Sequence, residues 1–194
     1  MKQVSENTGA FYHHYPRIAV VVTAYHNGKS NAMTAGWHSP LSFNPPLFGV
    51  SLSPRRQTYK MILESGEFTV NFLPAAAAGL IAAIGGSKGA AIDKFESFNI
   101  AKDIPLKVNA PVLSDAYAAY ECKLSDNRPY GDHQLLVGEV VAVHSLSEAF
   151  TAEETLDLKT VTPAFYMGND KYITKFKATI ETMEREKFGQ PGAI

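Results

Sequence analysis

Only one cysteine, Cys122, occurs in the 194 residues. No intrachain disulfide can form, and no all-cysteine zinc or iron–sulfur site can be assembled. An excess of either charge is also missing: 18 Lys+Arg stand against 19 Asp+Glu. That balance offers no basic field for nucleic acid or an anionic membrane. Long hydrophobic runs are absent too. The most apolar stretch, residues 75–84, falls well short of the ~20 residues a spanning helix needs. The first ten residues are polar and lack the apolar centre of a secretory signal. No internal repeat, linker-like shift in composition or extended low-complexity tract divides the chain. What is present is a 45% hydrophobic content with 19% charge, enough for a core and unlike a disordered chain. The expectation is one cytoplasmic domain over residues 1–194, with neither a membrane nor a nucleic-acid partner.

Hydrophobic patterning favours strands. Residues 18–25 (IAVVVTAY) form a continuous apolar run, as in a strand buried on both faces, and the following Asn27–Gly28 pair is a hairpin signal. Residues 30–39 should hold the return strand. Pro45–Pro46 closes a loop before a short strand at 47–52. Ser53, Pro54 and Arg55 then read as a helix start, with Ser at the cap and Pro at the first helical position. Tyr59, Ile62 and Leu63 fall at helical spacing before Gly66. Residues 67–73 alternate as a half-buried strand. An alanine-rich helix over 74–84 stops at Gly85–Gly86, and 93–98 allows one more helical turn. Residues 116–124 alternate, 126–132 are turn residues, and 133–144 is apolar on both faces, so these two segments read as antiparallel neighbours. A short helix at 153–158 and an amphipathic helix at 177–187 complete the pattern. Short strands joined by tight turns, with inserted rather than alternating helices, favour an antiparallel barrel over a doubly wound sheet.

Two segments carry chemistry beyond folding. In 53–58 (SPRRQT), Arg55 and Arg56 lie in the expected first turn, where the helix dipole prefers acids. An anion between them and the free amides would account for both, with the Ser53 and Thr58 hydroxyls as further donors. A solvated turn whose arginines pair with surface carboxylates is the competing account. In 31–39 (NAMTAGWHS), small residues would let a flat ligand approach the backbone, and Trp37 could cover it or serve as plain core. The six histidines show no metal-ligand spacing, so no metal site is expected. His133 follows Gly131–Asp132 at a strand entrance and is either an outward-aimed imidazole or a hairpin surface residue. Residues 85–89 (GGSKG) do not form a phosphate loop of the strand–loop–helix kind and better suit a mobile lid or a loop approaching a ligand, and no G-x-S-x-G elbow occurs.

Residues 15–73 resemble the flavin reductase-like, FMN-binding split-barrel family, which includes flavoredoxin and flavin reductase components. The resemblance runs through 16–25 (PRIAVVVTAY), 31–37, 44–46, 51–58 and 66–71 (GEFTVN), then 93–95 (DKF) and 130–140 (YGDHQLLVGEV). It implies a mainly β fold, a six-stranded antiparallel Greek-key split β-barrel with a few inserted helices, and a homodimer with FMN near the subunit interface. It further implies that Met33, Thr34 and Ala35 offer backbone groups to the isoalloxazine; Trp37, which with His38 stands where many flavin-releasing members have small or hydroxyl residues, is a further cofactor-binding candidate. Ser51, Ser53, Arg55, Arg56 and Thr58 would hold the ribityl chain and phosphate, and Asp93, Lys94 and Phe95 would approach the cofactor. His133 would lie on the nicotinamide side as the catalytic candidate. The activity implied is NAD(P)H-dependent reduction of flavin, or passage of electrons from bound FMN to a protein or small-molecule acceptor. The alternative is a flavoredoxin-like electron carrier with no nicotinamide site, and a split-barrel protein that binds no flavin is a third reading.

Overall fold

A computed structural model describes residues 2–175. After a 3-10 turn at Tyr12–His14 come β1 (Arg17–Ile18), β2 (Val20–His26), β3 (Lys29–Ala35), β4 (His38–Phe43) and β5 (Pro46–Leu52). Helix α1 (Gln57–Ser65) and β6 (Glu67–Phe72) follow, then α2 (Ala78–Gly86) and α3 (Lys94–Ser97). The remaining strands are β7 (Lys102–Asp103), β8 (Val112–Leu113), β9 (Ala118–Tyr130), β10 (His133–Ser145), β11 (Phe165–Gly168) and β12 (Lys171–Ile173). Mainly β with few helices is the expected class. The strand count is corrected: among the described residues the principal antiparallel sheet has seven strands, in the order β3-β2-β6-β9-β10-β5-β4, and no ladder closes it into a barrel. Its two outer strands, β3 and β4, are consecutive in the chain and joined only by Gly36 and Trp37. The sheet must therefore curl until its edges come together.

The apolar run of β2 explains the layering. Val20, Val22 and Ala24 point into the curl with Phe48, Val50, Leu52, Phe68, Val70 and Leu136. Ala19 and Val21 point outward and are covered by Ile81 and Ile84 of α2, by Phe95 and by Ala164. Alternation places successive side chains on opposite faces, so only a run apolar at every position can serve both layers. Asn27 (φ 49°) and Gly28 (φ 77°) form the turn that pairs β2 with β3, a turn that needs positive φ at both central residues. In α1, Tyr59 and Ile62 are buried while Leu63 is exposed, and the Gly66 amide closes the helix on the Ile62 carbonyl at 2.8 Å.

Several local expectations are revised. Helix α1 begins at Gln57, not at Ser53, because residues 53–56 form a turn in which the Arg56 amide donates to the Ser53 carbonyl at 3.0 Å. Strand β6 is buried on both faces. Its polar side is consumed internally, with Thr69 Oγ1 donating to the Ala110 carbonyl at 2.9 Å and Asn71 Nδ2 to the Val21 carbonyl at 3.1 Å. Residues 126–130 are strand, not turn: β9 and β10 pair out to Tyr130–His133. Strand β4 was not anticipated as a separate element. The 153–158 segment is turns with a Phe150–Leu156 bridge. The expected helix at 177–187 lies outside the described residues. No helix among them is long and apolar enough to cross a membrane.

Candidate functional site

Adjoining concavities open where the sheet edges meet. The first, about 180 Å³, is walled by Met33 and Thr34 of β3, by Arg55, Arg56 and Thr58, and by Gly85, Lys88 and Lys94. No Asp or Glu lines it among the described residues. The start of α1 also faces it through Gln57 and Thr58, and no side chain caps that helix end. Its leading amides therefore keep their positive partial charge directed at the cavity. Lys94 is 3% exposed; its Nζ donates to the Ile84 carbonyl at 2.7 Å and meets no carboxylate. Burial first, and the Arg56 guanidinium second, bring its ammonium down to about 8. So many cations without a counter-charge describe a place for an anion.

The second concavity, about 380 Å³, shares Met33, Thr34 and Arg56 with the first and adds Ala35, Trp37, Ser51, Ser53 and His133. Tyr12, Tyr15 and Tyr166 complete its wall. A third, about 400 Å³, again includes Thr34 and Arg56, with Asp170 and Tyr172. Because β3 is an edge strand, every second residue turns its N–H and C=O away from β2, unpaired by the ladder. The Thr34 hydroxyl is already used, donating to the Ile81 carbonyl at 2.6 Å. What β3 can offer here is thus main chain rather than that hydroxyl. The Ser51 amide donates to the Trp37 carbonyl at 2.8 Å and ties β5 to the β3–β4 link.

The His133 ring stands against Trp37, with centroids 4.7 Å apart, and its Nδ1 lies 2.7 Å from Asp132 Oδ1. That contact holds the exposed Asp132 carboxyl below the usual range and fixes the imidazole in the wall. His38 sits apart: it donates from Nε2 to the Ile18 carbonyl at 2.8 Å, and burial lowers its pKa.

Of the residues singled out in the sequence, Met33, Thr34, Ala35, Trp37, Ser51, Ser53, Arg55, Arg56, Thr58, Lys94 and His133 come together here. Asp93 instead lines a neighbouring concavity and caps α3, accepting from the Phe95 and Glu96 amides. Phe95 is buried in the outer core layer. Sequence reading overlooked Asn31, which donates from Nδ2 to Thr58 Oγ1 at 3.2 Å. It also left Tyr12, Tyr15 and Tyr166 unassigned to the site, while Lys88 lies in the 85–89 loop read as a mobile lid or a loop approaching a ligand. The aromatic density of residues 11–15 (FYHHY) was the available signal for the first two. Among the described residues no three His, Cys, Asp or Glu side chains are grouped to hold a metal.

A cation-rich, carboxylate-free cavity beside a ring-sized aromatic one fits a group with a phosphate at one end and a flat heterocycle at the other, as FMN has. Residues 12–172 match the model of the flavin reductase like domain. A protein of Aeropyrum pernix is 33% identical over 160 residues, 81% of this chain; the chain spans 59% of that relative's length. An FMN reductase (NADH) of Methylorubrum extorquens is 30% identical over 136 residues, 70% of this chain and 75% of the relative. Among solved structures, the FMN-binding protein of Thermus thermophilus superposes with a TM-score of 0.80 at 30% identity, covering 92% of this chain and 99% of that one. Flavoredoxin of Desulfovibrio vulgaris shares the fold with a TM-score of 0.83 at 24% identity, over 96% and 100% of the two chains.

Proposed function

The chain belongs to the flavin reductase-like family, and from that premise we propose that it is a single-domain, cytoplasmic FMN-dependent oxidoreductase. In this reading it takes hydride from NADH or NADPH and passes electrons to flavin or another acceptor. The observation that carries the reading is the cavity at the uncapped start of α1, where Arg55, Arg56, Lys88 and Lys94 converge with no carboxylate among the described residues. The NADH named for the Methylorubrum relative and the FMN named for the Thermus structure support the donor and the cofactor.

FMN supplies the hydride and electron chemistry when bound; the chain supplies placement and charge. Arg56 and Lys94 neutralise the phosphate, and the α1 amides donate to it. The alternate main-chain groups of the Met33–Ala35 stretch that β2 leaves unpaired face the ring. Trp37 and His133 narrow the space above the site, and the Asp132 contact keeps the imidazole oriented so that it positions the nicotinamide rather than moving a proton. The exposed Leu41 and Phe43 on edge strand β4 suit a homodimer interface, and sedimentation should give twice the chain mass.

The test is spectroscopic. Purified protein should bind FMN and show flavin absorbance in the visible, and anaerobic NADH or NADPH should bleach it. Arg56→Ala should weaken FMN about ten- to a hundredfold while hardly changing riboflavin, which lacks the phosphate. Equal losses for both flavins would remove Arg56 from the phosphate site. Bound flavin that neither nucleotide reduces would leave the electron-carrier alternative.

A further inference from the structure

The anion cavity has two neighbours along β3. It meets the ring-sized concavity at Met33, Thr34 and Arg56. At its other end it meets the concavity of about 290 Å³ that Asp93 lines, and there the two share Asn31, Gln57, Gly89 and Ala90. A contact stands between them. A Cβ built on Gly89 would lie 2.7 Å from Asn31 Cγ and closer still to its amide nitrogen and oxygen. The 87–92 loop therefore rests on that amide as only a glycine can. Asn31 is not free to swing aside, being 5% exposed and donating from Nδ2 to Thr58 Oγ1 at 3.2 Å. The loop is pinned as well: Ser87 Oγ donates to the Ile84 carbonyl at 3.2 Å, and the Ala91 amide to the Lys88 carbonyl at 2.9 Å. Charge changes across this wall. Among the described residues the anion cavity is lined by cations and no acid, whereas the chamber beyond has one of each sign, Lys29 and Asp93.

From this geometry we infer that Asn31 and Gly89 set which flavin nucleotide the site accepts: a terminal phosphate monoester is admitted, and a phosphate that continues into a second nucleotide is refused. The inference rests on the reading above and deepens it, adding selectivity for FMN over FAD. At about 180 Å³ the cavity has room for a phosphate and the carbons beside it, and the Asn31–Gly89 contact closes it there. The adenosine half of FAD would have to part the loop from the amide and enter a chamber whose carboxylate repels its phosphates. Selectivity of this kind comes from a clash with the wrong ligand rather than added attraction for the right one.

FMN and FAD carry the same ring, so calorimetric titration of the full chain with each reads the phosphate end. FMN should bind at least about tenfold more tightly than FAD. Asn31→Ala, which shortens the wall, should tighten FAD by about tenfold and narrow the ratio. General damage to the fold would weaken both flavins and cannot produce that gain. Gly89→Ala lifts the loop from the amide and should narrow the ratio too. Equal affinities in the unaltered protein, or a ratio that neither substitution changes, would overturn the inference. Ribose 5-phosphate and ADP-ribose repeat the comparison without a flavin ring. A protein that prefers the first of these but takes up neither flavin would instead refute the preceding functional reading and leave the wall standing.

Discussion

Arg56 and Lys94 face the same cavity as like charges, and the guanidinium adds to burial in bringing the Lys94 ammonium down to about 8. Two cations are held close where no acid separates them. The cost of that arrangement falls when a dianionic group enters, so ligand binding and lysine protonation are coupled.

The coupling gives opposite pH slopes. In the flavin-free protein, folded Lys94 holds its proton less well than the unfolded chain between about 8 and the ordinary 10.5. Unfolding then takes up protons, so stability rises with pH across that window. FMN affinity should move the other way, weakening above pH 8 by up to about tenfold per unit as the ammonium is lost. Fluorescence titrations of FMN at pH 7, 8 and 9 measure it, and Lys94→Met should flatten the profile.

His133 offers a kinetic test. His133→Ala should leave FMN affinity nearly unchanged, because the ring contacts Trp37 and Asp132 rather than the phosphate cavity. It should lower the limiting rate or raise the nicotinamide dissociation constant in stopped-flow reduction. No change in either would return His133 to a structural role.

Glu121 is a fold anchor. Burial alone would raise its carboxyl, but the amides of Leu106, Lys107 and Val108 and the His144 ring hold it below the usual range. Glu121→Gln leaves one amide donor facing others and should destabilise by roughly 1–3 kcal/mol in urea. Since the folded pKa is depressed, the carboxylate's contribution is complete near neutrality and fades only as the solution is acidified below about 4.5.

Gly138 marks the tightest crossing of the inner core. A Cβ there would stand 2.5 Å from Phe68 Cζ and 2.6 Å from Cys122 Cβ, so Gly138→Ala should cost about 1–3 kcal/mol through overpacking. The denaturation midpoint should fall while the slope stays constant.

Much of this was legible in the chain. The valine run of β2 and the Asn27–Gly28 turn are strong because both rest on local geometry. Arg55 and Arg56 are legible as charges in an unusual place, although Ser53–Pro54, which has the composition of a helix start, does not begin one: Arg56 is extended and the helix waits for Gln57. Residues 126–130 read as a turn because Asp126, Asn127 and Pro129 favour turns. Beyond Lys123, however, β9 has lost β6 as a neighbour, and a proline is tolerated where one side of the strand is unpaired. Strand β4 hides behind His38, Ser39 and Pro40 because its order comes from pairing with β5, a tertiary cause. The aromatic run 11–15 marks Tyr15 as unusual, but its contact with Tyr166 of β11, some 150 residues away in the chain, is a tertiary one that the sequence does not display.

The two-residue passage from β3 to β4 also has a mechanical meaning. Gly36 and Trp37 work as a clasp across a seam that no ladder among the described residues stitches, limiting the separation of Ala35 and His38 to what three extended steps can span, roughly 10 Å. A single backbone cut between them would break no strand pairing of the main sheet, yet it would unfasten the garment. The edges could then part along that seam. Ligand protection of that one peptide bond against proteolysis would therefore report how firmly the seam is drawn shut.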